Sequence, residues 1–184
     1  IVPVVRIDSP NGYVWQPERG GKGTYITSVD GQLEFARKRK VSNSNFTAIV
    51  RAVKWWRNYK ELDDLLKSFS IELIASYLDI KYGVETNIEE GLIRFFEFVG
   101  SNRLKEISFA DAINRIPTYS TPVYIADPTN NENNTAKKTS EIKWQEIQEE
   151  AEEAYETLTL AQARGSMGDT LVEWKSVFGP HFNI

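Results

Sequence analysis

The sequence predicts a mainly helical protein with a small β element at its start. Apolar residues recur at helical spacing between Asn45 and Tyr82 and again between Ile147 and Ala161, so each series lies along one face of a helix. The first seven residues, IVPVVRI, are mostly β-branched and precede the turn-forming run DSPNG. Because no internal repeat and no clear linker divides the sequence, we predict a single mainly α domain.

The β element is expected to be a hairpin. Ile1 to Ile7 and Tyr13 to Trp15 are short runs of strand-forming residues, and the turn residues separate them. The segment from Tyr25 to Phe35 mixes apolar residues with Gly31, and periodicity alone leaves its structure open.

Two packed helices are predicted between Asn45 and Tyr82. The apolar face of the first comprises Phe46, Ile49, Val50, Val53 and Trp56, and its polar face comprises Thr47, Arg51, Lys54 and Asn58. The second is predicted to begin at Ser68 or Ser70, because a serine hydroxyl can accept a hydrogen bond from a free N–H of the first turn. Gly83 is expected to end it.

Three later helices are predicted from their caps. Asn87, followed by Glu90, resembles a capping box, Ser140 is the expected cap of the longest helix, and Asp169 is the expected cap of the last. The acidic residues of the longest helix lie outside its apolar stripe and are expected to be solvated.

The part between these helices is predicted to be less regular. Residues 108–114 are predicted to form a helical turn and 123–126 a short strand. The run TNNENNT at 129–135 is predicted to be a polar loop that is free to move, because asparagine and threonine favour turns.

Composition excludes several classes of function. The 184 residues are 41% hydrophobic and 26% charged, which is typical of a globular domain. The chain has no cysteine, and its single histidine, His181, disfavours a histidine metal site or a serine–histidine catalytic pair. No apolar run is long enough for a membrane span. A net charge of −4 argues against a nucleic-acid partner, and the lack of cysteine fits a cytoplasmic location.

A phosphate site is possible where the two central helices meet. Lys54 on the first helix and Lys67 and Ser68 at the mouth of the second supply ammonium groups and a hydroxyl beside the N–H groups of a helix N-terminus. Each residue also has an ordinary explanation, since a lysine on a polar helix face is usually solvated. Phe69 is either a core residue or a platform for a nucleobase.

Several motifs in one order resemble a known family. They are IVPVVRI with DSPNGYVW, the helices AIVRAVKWWR and KSFSIEL, the segment TPVYIADPTNNENNT, and a terminal pattern formed by Trp174, Phe178, Gly179 and Phe182. Together they resemble the C-terminal helical half of bacterial cGAS-like nucleotidyltransferases, the CD-NTases that act as CBASS oligonucleotide cyclases, in the oligoadenylate synthetase-like superfamily.

The resemblance implies a fold and a division of the chain. The fold would be the helical half, similar to the C-terminal part of oligoadenylate synthetase, of a polymerase-β-like nucleotidyltransferase. Residues 1–35 would be the end of the nucleotidyltransferase palm with a connecting segment, and residues 36–184 the helical nucleotide-binding domain. Since the chain begins with isoleucine, we expect the rest of the palm to precede it.

The resemblance also implies an activity. Such enzymes join NTPs, here ATP above all, into cyclic or linear second messengers during antiphage defence, using Mg²⁺ ions held by palm carboxylates. Those carboxylates have no counterpart in this sequence, so no catalytic or metal-binding residue is assigned, and the chain alone is expected to be inactive. By position, Lys54 and Ser68 resemble the triphosphate contacts and Phe69 the base-stacking residue, with Lys67 and Arg51 as further basic candidates.

Two alternatives stay open. The chain is either a non-enzymatic helical module that binds a nucleotide or a partner, or part of an RNA nucleotide-adding enzyme of the same superfamily. In the second case the basic run from Ala36 to Lys40 would contact RNA. A solvated helix end is the preferred interpretation of that run, because the chain as a whole is acidic.

Overall fold

A computed structural model describes residues 4–7, 12–18, 23–83, 87–101, 106–166 and 168–182. Helices dominate this part of the chain and short strands connect them. The elements in order are β1 (Val5–Arg6), β2 (Val14–Pro17), β3 (Thr24–Thr27), α1 (Val29–Ser42), α2 (Phe46–Tyr59), α3 (Ser68–Tyr82), α4 (Ile88–Gly100), β4 (Glu106–Ile107), β5 (Tyr124–Asp127), β6 (Asn130–Asn134), α5 (Glu141–Arg164) and α6 (Leu171–Phe178). The predicted mainly α fold with a small β element is confirmed.

Two three-stranded sheets flank the helices. In the first, β1, β2 and β3 are antiparallel neighbours, which confirms the predicted hairpin; residues 1–3 and 8–11, which include most of its turn, lie outside the described ranges. The segment whose structure was left open at 25–35 contains the end of β3 and the start of α1. In the second sheet, β4 pairs parallel to β5, and β5 pairs antiparallel to β6.

The helical core follows the predicted periodicity. The apolar face of α2 is buried from Phe46 to Trp56, and the stripe of α5 from Ile147 to Ala161 is buried as well. Trp56 meets Phe96 of α4 edge to face, with ring centroids 4.9 Å apart. Apolar periodicity therefore predicted which faces of the long helices pack together. No helix within the described ranges has the length and apolar character that crossing a membrane requires.

The starts of α4, α5 and α6 test three predicted caps. Asn87 and Ser140 accept hydrogen bonds from the N–H groups of Glu90 and Lys143, so both caps are confirmed. The cap of α6 is Thr170, and the predicted cap Asp169 instead accepts a hydrogen bond from the hydroxyl of Ser166.

The predicted serine cap of α3 is wrong. Lys67 is the N-cap residue, and its side chain makes no capping hydrogen bond. Ser68 is already helical, and its hydroxyl accepts a hydrogen bond from Arg57, while Ser70 is buried inside the helix. Gly83 ends α3 as predicted, with φ of 87° and ψ of 178°.

Two predictions for the middle of the chain are also wrong. The polar run at 129–135 is largely the strand β6, whose first two residues, Asn130 and Asn131, are buried. Residues 108–114 form turns and a bridge instead of a helical turn, because Ile113 pairs with Asn130 and Asn114 has a positive φ of 61°.

α1 spans the proposed division of the chain. The boundary between residues 35 and 36 falls inside this helix, and the basic run from Ala36 to Lys40 forms part of its C-terminal half. The helix has no buried residue, and of the four basic side chains only Arg39 contacts a carboxylate on another helix, that of Asp79 at 3.3 Å. This placement agrees with the interpretation of the basic run as a mostly solvated helix end.

Replacing Gly100 with alanine is expected to destabilise the fold by about 1–3 kcal/mol. A Cβ atom at Gly100 would lie 2.9 Å from the backbone N and Cα of Glu152, so α4 and α5 would have to move apart. Chemical denaturation measures the change. Gly168→Ala is the matched control, since its Cβ would meet only the Ser166 hydroxyl at 3.7 Å; equal stability of the two variants would contradict the close packing.

Candidate functional site

A large cavity lies where the two sheets, the α2–α3 connection and the start of α5 meet. Its volume is about 830 Å³, within the range of small-molecule sites. Its lining includes Glu18, Gln32, Asp64, Lys67, Phe69, Tyr119, Tyr124, Asp127, Glu132, Asn133, Lys137, Lys138, Lys143 and Trp144. The cavity thus combines aromatic rings, lysines and amides, a set that suits a nucleotide.

The buried Arg57 fixes the first wall of the cavity. Its Nη1 donates hydrogen bonds to the carbonyl of Leu66 at 3.2 Å and to the hydroxyl of Ser68 at 3.0 Å. Its Nε and Nη2 donate to Asn58 Oδ1 at 3.0 and 2.7 Å. The guanidinium therefore ties the end of α2 to the connection that presents Lys67.

The predicted site residues separate into two groups. Lys67 and Phe69 line the cavity, and Phe69 remains 36% exposed at the first turn of α3. Ser68 lies between them, but its hydroxyl is bound to Arg57. The structure therefore brings one cation and one aromatic ring to the mouth of α3, as predicted from the sequence.

The other two candidates lie elsewhere. Lys54 Nζ lies 2.5 Å from Oε1 of Glu72, a residue one turn beyond the start of α3. Neither Lys54 nor the exposed Arg51 lines the cavity. Ser68 does not line it either. The assignment of all five residues to nucleotide binding stays a prediction.

Asp127 organises the second wall. This carboxylate is 2% exposed and accepts hydrogen bonds from the hydroxyl of Thr27 at 2.6 Å and from Gln32 Nε2 at 2.9 Å. It also accepts from the N–H and the hydroxyl of Thr129, both at 2.8 Å, and from Asn133 Nδ2 at 3.4 Å. One buried charge thus joins β3 and α1 to the second sheet.

The asparagines of β6 extend this polar network. Asn130 and Asn133 both donate to the carbonyl of Ile26, at 2.9 and 2.7 Å, which holds β3 against β6. Asn131 exchanges hydrogen bonds with the backbone of Phe109, and Asn134 accepts from the N–H of Ile125. Sequence reasoning missed this role, although four asparagines directly after a buried strand were a signal.

Two tyrosines form an aromatic part of the lining. The rings of Tyr119 and Tyr124 have centroids 4.8 Å apart. The hydroxyl of Tyr124 donates to the carbonyls of Asn131 and Glu132 at 3.0 and 2.7 Å. Burial first, and then the nearby Glu132 carboxylate, raise the pKa of Tyr124 to about 12, so it stays a neutral donor at physiological pH.

The described residues do not fit a divalent metal ion. Within the described ranges, no three carboxylate or histidine side chains come together in a way that could hold one. Asp127 is also unsuited, because its oxygens already accept five hydrogen bonds inside the polar network. We therefore derive no step through Mg²⁺ from these residues.

Comparison with known proteins finds similar structures that are larger than this chain. No protein-family model matches the chain. It resembles the structure of CdnC from Escherichia coli MS115-1 with ATP, with a TM-score of 0.83 and 28% identity over 100% of this chain and 60% of that one. The complex of the same CdnC with HORMA-deltaN matches with a TM-score of 0.82 and 28% identity, over 100% and 59% of the two chains. The chain is homologous to the bacterial cGAS-like nucleotidyltransferases.

Two curated relatives are bacterial cyclic-oligonucleotide synthases. The CBASS oligonucleotide cyclase CdnC of Escherichia coli (strain KTE188) is 32% identical over 184 residues, which cover 100% of this chain and 57% of the relative. The cyclic AMP-AMP-AMP synthase of Escherichia coli (strain MS 115-1) is 32% identical over 193 residues, covering 99% and 59%. The chain is thus homologous to CdnC-type CBASS cyclases and spans a little over half of their length.

Proposed function

We propose that this chain is the nucleotide-binding helical half of a template-independent nucleotidyltransferase that makes cyclic or linear oligonucleotide second messengers from NTPs in antiphage defence. The observation that carries the proposal is the cavity, which Lys67 and Phe69 enter at the start of α3. A similar chain, 28% identical, is known with ATP, which supports ATP as the ligand.

In the complete cyclase, nucleotide binding and bond formation would lie in different parts of the protein. The residues described here would bind and orient the donor nucleotide, with Lys67 near the phosphates and Phe69 against the base. Mg²⁺ and the carboxylates that hold it would belong to a palm region outside this chain, as would bond formation. We place the complete protein in the cytoplasm, and expect the chain alone to bind nucleotide without reacting it.

A second candidate function is a non-enzymatic nucleotide-binding module. The observation in its favour is that the described residues provide no group of carboxylates for a metal ion. Incubation of the chain with radiolabelled ATP, with and without a palm region from a CdnC relative, separates the two. A new oligonucleotide product formed only with the palm supports the enzyme, and nucleotide binding with no product in either case supports the module.

Phe69→Ala is expected to weaken ATP binding by about 1–3 kcal/mol, because a base stacked on the ring would lose its platform. The ring is 36% exposed, so the variant should melt close to the wild type. Isothermal titration calorimetry with ATP measures the affinity.

The matched control is Tyr82→Ala, which removes an aromatic ring that is 47% exposed and does not line the cavity. Unchanged ATP affinity of Phe69→Ala, or a large drop in its melting temperature, would contradict the stacking role. The ATP affinity of Lys54→Ala, measured in the same way, tests whether Lys54 leaves Glu72 to bind the nucleotide.

A further inference from the structure

Two lysines of the cavity stand apart from the predicted site. Lys138 and Lys143 lie on the connection between β6 and α5 and at the start of α5, and both are exposed and line the cavity. Within the described residues neither has an ion pair, whereas Lys137 lies 2.6 Å from Glu18 and Lys67 lies 3.4 Å from Asp64. Their charges are therefore available to a ligand.

The backbone that presents these lysines is held by hydrogen bonds. The N–H of Ala136 donates to Asn134 Oδ1 at 2.9 Å, and the N–H of Thr139 donates to the carbonyl of Ala136 at 2.9 Å. Ser140 caps α5, and the neighbouring Trp144 is buried. The positions of both lysines are thus built into the fold, although their side chains stay exposed.

The cavity lining has four lysines and four carboxylates, but no described carboxylate forms an ion pair with Lys138 or Lys143. Glu18 and Asp64 lie beside Lys137 and Lys67, and Asp127 is enclosed in its network of donors. Glu132 is the remaining acidic residue of the lining, and within the described residues it forms no ion pair with either lysine. An ammonium group without a carboxylate partner in a concave site can attract and bind an anion.

We infer that Lys138 and Lys143 bind the phosphates of the nucleotide, so that the phosphate-binding surface extends from the mouth of α3 to the start of α5. The inference rests on the proposed function, because it assigns new residues to the same cavity. A lysine ammonium group is a compact point charge that binds phosphate without a fixed geometry, which suits a flexible polyphosphate. The aromatic lining leaves the base to Phe69 and the tyrosines.

The test compares two double variants that lose the same charge. Lys138→Ala/Lys143→Ala removes the proposed contacts, and Lys38→Ala/Lys40→Ala removes two exposed lysines of α1 that do not line the cavity. Calorimetry measures the affinity of each variant and of the wild type for ATP and for AMP. All four lysines are exposed, so thermal melting should be alike in the three proteins.

The expected result is specific to the phosphates. The Kd for ATP should rise about tenfold in Lys138→Ala/Lys143→Ala and less than about twofold in the α1 variant. The Kd for AMP should change less than that for ATP, because fewer phosphate charges are lost from contact. An ATP affinity equal to that of the wild type, or an equal loss in both double variants, would overturn the inference and leave the proposed function standing. Absence of ATP binding by the wild type would overturn both.

Discussion

Asp127→Asn is expected to lower the free energy of unfolding by about 2–3 kcal/mol. Asp127 accepts hydrogen bonds from Thr27, Gln32, Thr129 and Asn133. An amide has the same shape but only one acceptor oxygen, so its NH₂ group would face other donors. Buried donors that lose their partner are costly.

The variant should also bind ATP more weakly, because Gln32, Asp127 and Asn133 all line the cavity. Urea denaturation measures stability, and calorimetry at a temperature where the variant is folded measures binding. Asp111→Asn is the control, since Asp111 is exposed and lies outside the cavity lining. A stability change in Asp127→Asn as small as that in the control would show that the network does not join the two sheets.

Arg57→Lys is expected to cost about 2 kcal/mol of stability, even though the positive charge is kept. The guanidinium reaches the carbonyl of Leu66, the hydroxyl of Ser68 and the amide oxygen of Asn58 together. A single ammonium group lacks the planar fork needed to hold all three. The connection that carries Lys67 would loosen, so ATP affinity should fall together with stability.

Denaturation and ATP titration of Arg57→Lys test this expectation. Arg37→Lys is the matched control, because Arg37 is exposed on α1 and only pairs with Glu34 on the same helix. If both variants kept wild-type stability and affinity, Arg57 would have no part in positioning the cavity wall.

These two residues show where sequence reasoning reached its limit. The buried faces of α2 and α5 were predictable, because their periodicity repeats within a single helix. Two of the donors to Asp127, Thr27 and Gln32, come from 100 and 95 positions earlier in the chain. No local pattern reports such contacts, so a run of asparagines and threonines was interpreted as a mobile loop.

The side-chain pairs of the candidate site could not be predicted from the sequence either. Lys54 was expected to be available to phosphate, but Glu72, on the next helix, lies 2.5 Å away. Arg57 was not predicted to matter, because its burial depends on how the α2–α3 connection folds back over it. Lys67 and Phe69 were predicted to lie at a helix start, and the structure places both in the cavity lining, while their role in nucleotide binding stays a prediction.

We propose above that the cavity of this chain binds a nucleoside triphosphate. Calorimetric titration of ATP into the 184-residue chain and into its Phe69→Ala variant tests this binding. We expect saturable binding of one ATP per chain that weakens in Phe69→Ala without a change in melting temperature. No heat of binding from a folded wild-type protein, or binding of equal strength in both proteins, would contradict it.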